Sequence, residues 1–198
     1  MAGELEGQVA LITGGGRGIG RGIAIKYAEA GAQVAITSRS VNQLRAVGGE
    51  VLVVPGDVSD PASVAEVCDA TEKAFGTVTV VMNNAGVNGP YGPMWEVDAD
   101  DWWHTQEIHL RGAHLFTHRL VPPMIARGGG RVINMVSGAG VRPNPNFSGY
   151  GVAKTAMIRM SETLALEGKE YGIIAFAMSP GLVITELAET AMRDAGAQ

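Results

Sequence analysis

The sequence predicts an α/β protein of the doubly wound type: a mostly parallel sheet of about six strands with helices on both faces. Three observations predict it. Short apolar, β-branched runs alternate with helical patterns along the whole chain. The first run leads into a glycine cluster that opens a helix, which is the layout of an anion cradle. The residues able to do chemistry follow the runs rather than sit inside them. In an open parallel sheet this gathers them along one edge.

The chain has 198 residues, enough for one sizeable core. No repeat, low-complexity tract or linker divides it, so a single domain over 1–198 is expected. The net charge is −5 with no basic cluster, which argues against a nucleic-acid partner. The apolar runs are strand-sized, far below the ~20 residues of a membrane helix. The N-terminus, MAGELEGQ, is polar and acidic, unlike a signal peptide. Cys68 is the lone cysteine, so no disulfide framework exists and a cytoplasmic location is expected. It lies in a helical pattern and reads as a small apolar filler.

Val9 to Thr13 is the first buried strand. The segment TGGGRGIG follows at 13–20, and a helical pattern runs from about Ile19 to Glu29, with Gly31 as C-cap. Glycines here let backbone approach a pyrophosphate, and the helix N-terminus supplies free N–H groups. Gln33 to Thr37 is the second strand. It ends in Ser38-Arg39-Ser40, with no acid to bind ribose hydroxyls. An acid there would repel a 2′-phosphate, whereas Arg39 can pair with one bidentately and Arg17 can add a second cation. NADP(H) is therefore expected over NAD(H); the competing reading makes Arg39 a solvated loop charge.

A short helix fits around Val41 to Val47, and Val51 to Pro55 is the third strand. Asp57 beyond it can accept from an adenine amino group. The next helix starts with Asp60 as N-cap and Pro61 in its first position, and ends near Phe75. Val78 to Met82 is the fourth strand, followed by Asn83-Asn84-Ala85-Gly86, small residues against which a ligand can pack. Asn83 reads equally as a strand-ending turn residue. After a loop at 88–93, Asp98 caps a long helical stretch to about Arg127, which Pro122-Pro123 is expected to kink or end. Ile108, Leu115 and Leu120 are its core stripe. Of its four histidines, only His114 and His118 have the spacing to share a ligand. No acidic or cysteine partner completes a site, so no metal is expected.

Val132, Ile133 and Val136 mark the fifth strand, and Ser137 sits at its end. A Gly/Pro/Asn loop leads to a helix beginning near Tyr150 and running to about Tyr171. Tyr150 and Lys154 are four apart and share one face of it. An ammonium beside a phenol favours the phenolate, and a hydroxyl at the strand end can donate to a carbonyl oxygen. Trp95, Pro143, Pro145 and Phe147 suit either an apolar substrate pocket or loop packing. Ile173 to Met178 is the sixth strand, ended by Ser179-Pro180-Gly181, and an amphipathic piece from Thr185 to Met192 follows.

These residues together resemble the short-chain dehydrogenase/reductase family over nearly the whole chain. The likeness rests on TGGGRGIG, Asp57-Val58, Asn83 to Gly86, Ser137, Tyr150-x-x-x-Lys154, and Pro180-Gly181 with Thr185. It implies a Rossmann-type fold that interconverts a secondary alcohol and a ketone or aldehyde by hydride transfer. Tyr150 would be the general acid/base and Ser137 would hold the substrate oxygen. Lys154 would bind the nicotinamide ribose and lower the Tyr150 pKa. Gly14, Gly16, Arg17, Gly18, Ile19 and Gly20 would cradle the cofactor, with Ser38, Arg39, Asp57 and Val58 at its adenosine end. Asn84, Ala85, Gly86, Pro180, Gly181, Val183 and Thr185 would line its path.

Two departures stand out. His109, in IHLRG, occupies the position where the family usually has an asparagine of the catalytic tetrad, and an imidazole would bring titration near neutrality. Family members also normally continue past Thr185 with a lid, a helix and a seventh strand, so the sixth strand is expected to be a sheet edge. A homo-oligomer is expected if the family interface is present, and a small carbonyl or alcohol compound is the expected partner. The alternative reading is a catalytically weak nucleotide-binding protein or fragment acting as a sensor or interaction module.

Overall fold

The computed structural model describes residues 3–196. Its centre is a six-stranded, all-parallel sheet: β1 (Val9–Thr13), β2 (Gln33–Thr37), β3 (Val51–Val53), β4 (Val80–Asn83), β5 (Gly130–Met135) and β6 (Ile173–Met178), in the spatial order β3-β2-β1-β4-β5-β6. The order reverses between β1 and β4. Crossovers on either side of that point lead away from each other and open a crevice at the carboxyl ends of the strands.

The two faces of the sheet follow from strand alternation. Val9, Leu11, Ala35, Val81 and Val132 face one apolar layer with Phe116, Leu120 and Met124, while Ala10, Ile12, Val34, Ile36 and Met82 face the other with Ala24 and Leu44. The helices supplying these layers are α1 (Gly18–Glu29), α2 (Val41–Arg45), α3 (Pro61–Phe75), α4 (Ala99–Gln106), α5 (Gly112–Ala126) and α6 (Ser148–Glu167). The expected N-caps are present, whereas the C-cap of α1 is Ala30, with Gly31 just beyond it at φ +94°. Asp60 accepts from the amides of Ala62 and Ser63 with Pro61 in the first turn, and Asp98 accepts from Asp101 N–H. Cys68 is wholly buried, and burial pushes its thiol pKa up to about 12.

Several expectations need correction. The helical stretch after Asp98 is not ended by Pro122-Pro123; α5 contains both and runs a turn further, to Ala126. It is interrupted earlier, by a π-helical turn at Glu107–Arg111. Such turns insert one residue and commonly mark functional positions, and this one carries His109. The helix of Tyr150 begins at Ser148 and ends at Glu167, with a separate 3₁₀ turn over Lys169–Tyr171. The third strand stops at Val53, short of Pro55, and the last helix, α7, spans Glu186–Gly196. Among the described residues, β6 is the outermost strand on its side of the sheet. Its Ile174, Phe176 and Met178 are exposed. Among the described residues no helix is long and apolar enough to cross a membrane.

Candidate active site

The crevice is walled by the glycine loop. Gly14 has φ +64°, and a Cβ there would stand 2.9 Å from the Ala85 Cα. Only glycine satisfies both conditions, and the loop therefore lies directly on the segment after β4. Thr13 locks this contact. Its Oγ1 accepts from the amides of Asn84 and Ala85, both at 3.0 Å, and Asn84 Nδ2 donates to the Thr13 carbonyl at 2.9 Å. Gly20 does not line the crevice. A side chain there would strike the Gly14 carbonyl, so Gly20 serves the close approach of α1 to the loop.

Two adjoining clefts follow, of about 420 and 660 Å³, and both are lined by Ile19, Asn84, Gly86, Thr185 and Leu187. They form one groove. The first cleft holds Gly14, Gly16, Arg17, Gly18, Ser38, Arg39, Asp57, Val58 and Ala85. The second holds His109, Ser137, Tyr150, Lys154, Pro180, Gly181 and Val183. Phe147 and Pro143 also reach it, whereas Trp95 is 83 % exposed outside both clefts and Pro145 is exposed as well.

At the adenosine end of the groove, Arg39 is exposed and makes no hydrogen bond or ion pair among the described residues beyond the pull it exerts on Asp57. Arg17 differs from expectation. Its Nη1 is 2.6 Å from Glu186 Oε2, so it is already paired. Asp57 accepts from the Ser59 amide at 2.9 Å and from the Ser59 hydroxyl at 2.7 Å. Partial burial works to raise its pKa, but the two Ser59 bonds with Arg39 and His104 outweigh burial and hold it low.

At the far end, Ser137 leaves β5 in extended conformation and accepts from Ala139 N–H at 3.2 Å. Its hydroxyl lies close enough to Tyr150 to pull the phenol pKa down. The Tyr150 ring stacks on Phe147, with centroids 4.7 Å apart, and meets the His109 ring edge-on at 5.4 Å. Lys154 Nζ lies 5.3 Å from the Tyr150 ring centroid and donates to the Met135 carbonyl at 2.7 Å. Burial pushes the Lys154 pKa down to about 7. Burial likewise raises Tyr150, and the pull of Ser137 only partly opposes it. The expected depression of Tyr150 by Lys154 is therefore not found in the protein alone. Desolvation dominates the Tyr150 hydroxyl.

His109 is buried, and burial, followed by the field of Lys154, pushes its pKa down to about 3. It is neutral across the physiological range, so the expected titration near neutrality is corrected. Its Nε2 faces both the Val87 carbonyl oxygen, at 2.7 Å, and the Val87 N–H, whose nitrogen is at 3.2 Å; the shorter contact, to an oxygen that can only accept, assigns the proton to Nε2, and Nδ1 has no hydrogen-bond partner among the described residues. The ring fills the space over Gly86, where a Cβ would strike its Cε1.

A polar chain that the sequence did not reveal supports this end. Asn83 and Asn134 are opposite in the β4–β5 register, and Asn83 Nδ2 donates to Asn134 Oδ1 at 2.8 Å. Asn134 Nδ2 donates to Ser161 Oγ at 2.8 Å, which donates to the Met157 carbonyl. Ser161 lies two turns beyond Lys154 on α6, so the chain ties the rotation of that helix to the sheet. Asn83 thus has a buried structural role. Gln106 Nε2 also donates to the Gly149 carbonyl at 2.8 Å, next to Tyr150. Apart from the Ser161–Met157 bond within α6, no sequence spacing signals these partners, because the pairs join different elements.

With the groove in view, the family is settled by comparison. The short chain dehydrogenase family profile matches residues 8–196, and the chain belongs to that family of oxidoreductases. Levodione reductase of Leifsonia aquatica is 34 % identical over 195 residues, covering 94 % of this chain and 73 % of the relative. A 3-ketoacyl-(acyl-carrier-protein) reductase of Brucella melitensis, solved with NADH, superposes with a TM-score of 0.92 at 31 % identity, covering 96 % of this chain and 82 % of that one. A gluconate 5-dehydrogenase of Burkholderia cenocepacia, solved with NADP and tartrate, gives 0.87 at 32 % identity, covering 97 % and 78 %.

Proposed function

We propose that this protein is an NADP(H)-dependent oxidoreductase that interconverts a secondary alcohol and a ketone or aldehyde, with Tyr150 as general acid/base. One observation carries the reading: a single groove runs from the glycine loop and Arg39 to Ser137, Tyr150 and Lys154. Its donor set fits a dinucleotide. Gly16 and Gly18 line the cleft at a helix start, Arg39 offers a guanidinium just beyond the end of β2, and Thr185 packs against Gly18. The nicotinamide nucleotide, when bound, supplies or accepts the hydride. A carbonyl oxygen placed between Ser137 and Tyr150 accepts hydrogen bonds from both hydroxyls. Tyr150 then delivers its proton to that oxygen as charge builds on it. Lys154 holds a positive field beneath the Tyr150 ring and steadies the phenolate that remains. Pro143 and Phe147 favour a partly apolar substrate.

Arg39 supports NADP(H) because a free guanidinium at that corner suits a 2′-phosphate. Relatives bind either nucleotide: one structure holds NADH and another NADP. The test is to follow oxidation of NADPH and of NADH against a panel of ketones and aldehydes, with Tyr150→Phe as control. Turnover that vanishes in Tyr150→Phe supports the enzyme. Tight nucleotide binding without turnover on any carbonyl supports the catalytically weak nucleotide-binding reading instead.

A further inference from the structure

An ion pair spans the mouth of the adenosine half of the groove. Arg17 belongs to the glycine loop and Glu186 is the first residue of α7, 169 positions away; Nη1 and Oε2 are 2.6 Å apart. Both side chains line the first cleft, and they are 50 % and 70 % exposed. The start of α7 is seated there by other means. Thr185 packs over Gly18, Thr185 Oγ1 accepts from Ala188 N–H at 3.2 Å, and Asn88 Nδ2 donates to the Leu187 carbonyl at 2.9 Å. Glu186 is not needed to bury this helix, since no residue of α7 is buried.

A carboxylate is a poor lining for a cleft that receives a polyanion. It repels each phosphate, and it neutralises the one cation that the glycine loop contributes. The cleft also includes Ser38, Arg39 and Ser40, the corner where a 2′-phosphate would lie. We propose that Glu186 is a specificity-determining residue for the cofactor. It occupies Arg17 and adds negative charge, and so weakens NADP(H) relative to NAD(H), opposing the preference set by Arg39. This rests on the nucleotide reading of the groove. Repulsion of the pyrophosphate is common to both cofactors and cancels in their ratio, whereas competition with a 2′-phosphate does not. Because the pair is largely exposed, its effect is modest and salt-sensitive.

The experiment is a fluorescence titration of the full chain with NADPH and with NADH, for the natural protein, Glu186→Gln, Arg17→Met and the double variant. Glu186→Gln is expected to shift the Kd ratio toward NADPH by about two- to fivefold. In the Arg17→Met background that shift should fall to less than half, and at about 1 M salt it should disappear. Binding of both nucleotides with an unmoved ratio, or equal tightening of both by Glu186→Gln, overturns the role of Glu186 and leaves the nucleotide reading standing. Absence of binding by any of the four folded proteins overturns that reading, and the role of Glu186 with it.

Discussion

His109 Nε2 donates to the Val87 carbonyl at 2.7 Å, and this bond fixes the orientation of a buried ring. It places the proton on Nε2, turns the lone pair of Nδ1 into the buried interior, and joins the π-helical turn to the strap that follows Gly86. Burial first, and then the field of Lys154, makes the imidazole resist a second proton, against the Val87 bond, which favours one.

Acid stability follows with a definite sign. The folded pKa of His109, about 3, lies below its ordinary 6.5, so the unfolded chain binds the extra proton between those values. This contribution is complete above pH 6.5 and is lost as pH falls toward 3. The slope is up to about 1.4 kcal/mol per pH unit. Urea unfolding of the natural protein and His109→Asn at pH 8, 6 and 5 should show the two curves converging or crossing in acid. Parallel curves would mean that His109 is not buried and neutral. Turnover of His109→Asn should be equal to or higher than that of the natural protein, and a large loss would assign the imidazole a role of its own.

Lys154 is expected to separate stability from function. Its charged form is disfavoured by burial, and its pKa is pushed from 10.5 to about 7. Between those values the unfolded chain binds the extra proton, so the cost is full below pH 7 and is relieved as pH rises toward 10.5. Lys154→Met should therefore match or exceed the natural protein in thermal stability at pH 6, with the gap narrowing in alkali, while carbonyl turnover falls by at least ~10²-fold. Thermal melts at pH 6 and 9, paired with initial rates, check both halves.

Gly86 should tolerate a methyl group only when His109 is reduced. Gly86→Ala places its Cβ against the imidazole Cε1. Overpacking of this kind costs about 1–3 kcal/mol. In a His109→Ala background most of that loss should vanish, which a double-mutant cycle by chemical denaturation would read as strong coupling. Additive losses would mean that the backbone, not the imidazole, opposes the side chain.

Asn134 carries the buried chain between β4, β5 and α6. Asn134→Leu leaves Asn83 Nδ2 with only a 3.5 Å contact to the Ala113 carbonyl. An unsatisfied buried donor and the lost bond to Ser161 should lower stability by about 2–4 kcal/mol. Turnover should fall with KM little changed, since Tyr150 and Lys154 ride on the helix that the chain orients. A variant as stable as the natural protein would remove the chain from the account.

The sequence by itself determined the strands, most caps and the family. Apolar runs of strand length, Asp60-Pro61, the glycine loop and the Tyr150-x-x-x-Lys154 spacing are local signals, each set by a few neighbouring residues. The shared groove was legible because a parallel sheet puts every strand end on one edge, whereas the strand order was not. Whatever depends on two distant elements meeting was decided only by the tertiary structure. Arg17 looked like a free cation until Glu186 was found beside it. His109 looked titratable until its burial and the field of Lys154 were known. Asn83 looked like a turn residue until its register with Asn134 appeared. The pKa of Tyr150 turned on its burial, which outweighs the pull of Ser137. A spacing of four places two side chains on one face, but desolvation and orientation depend on everything packed around them.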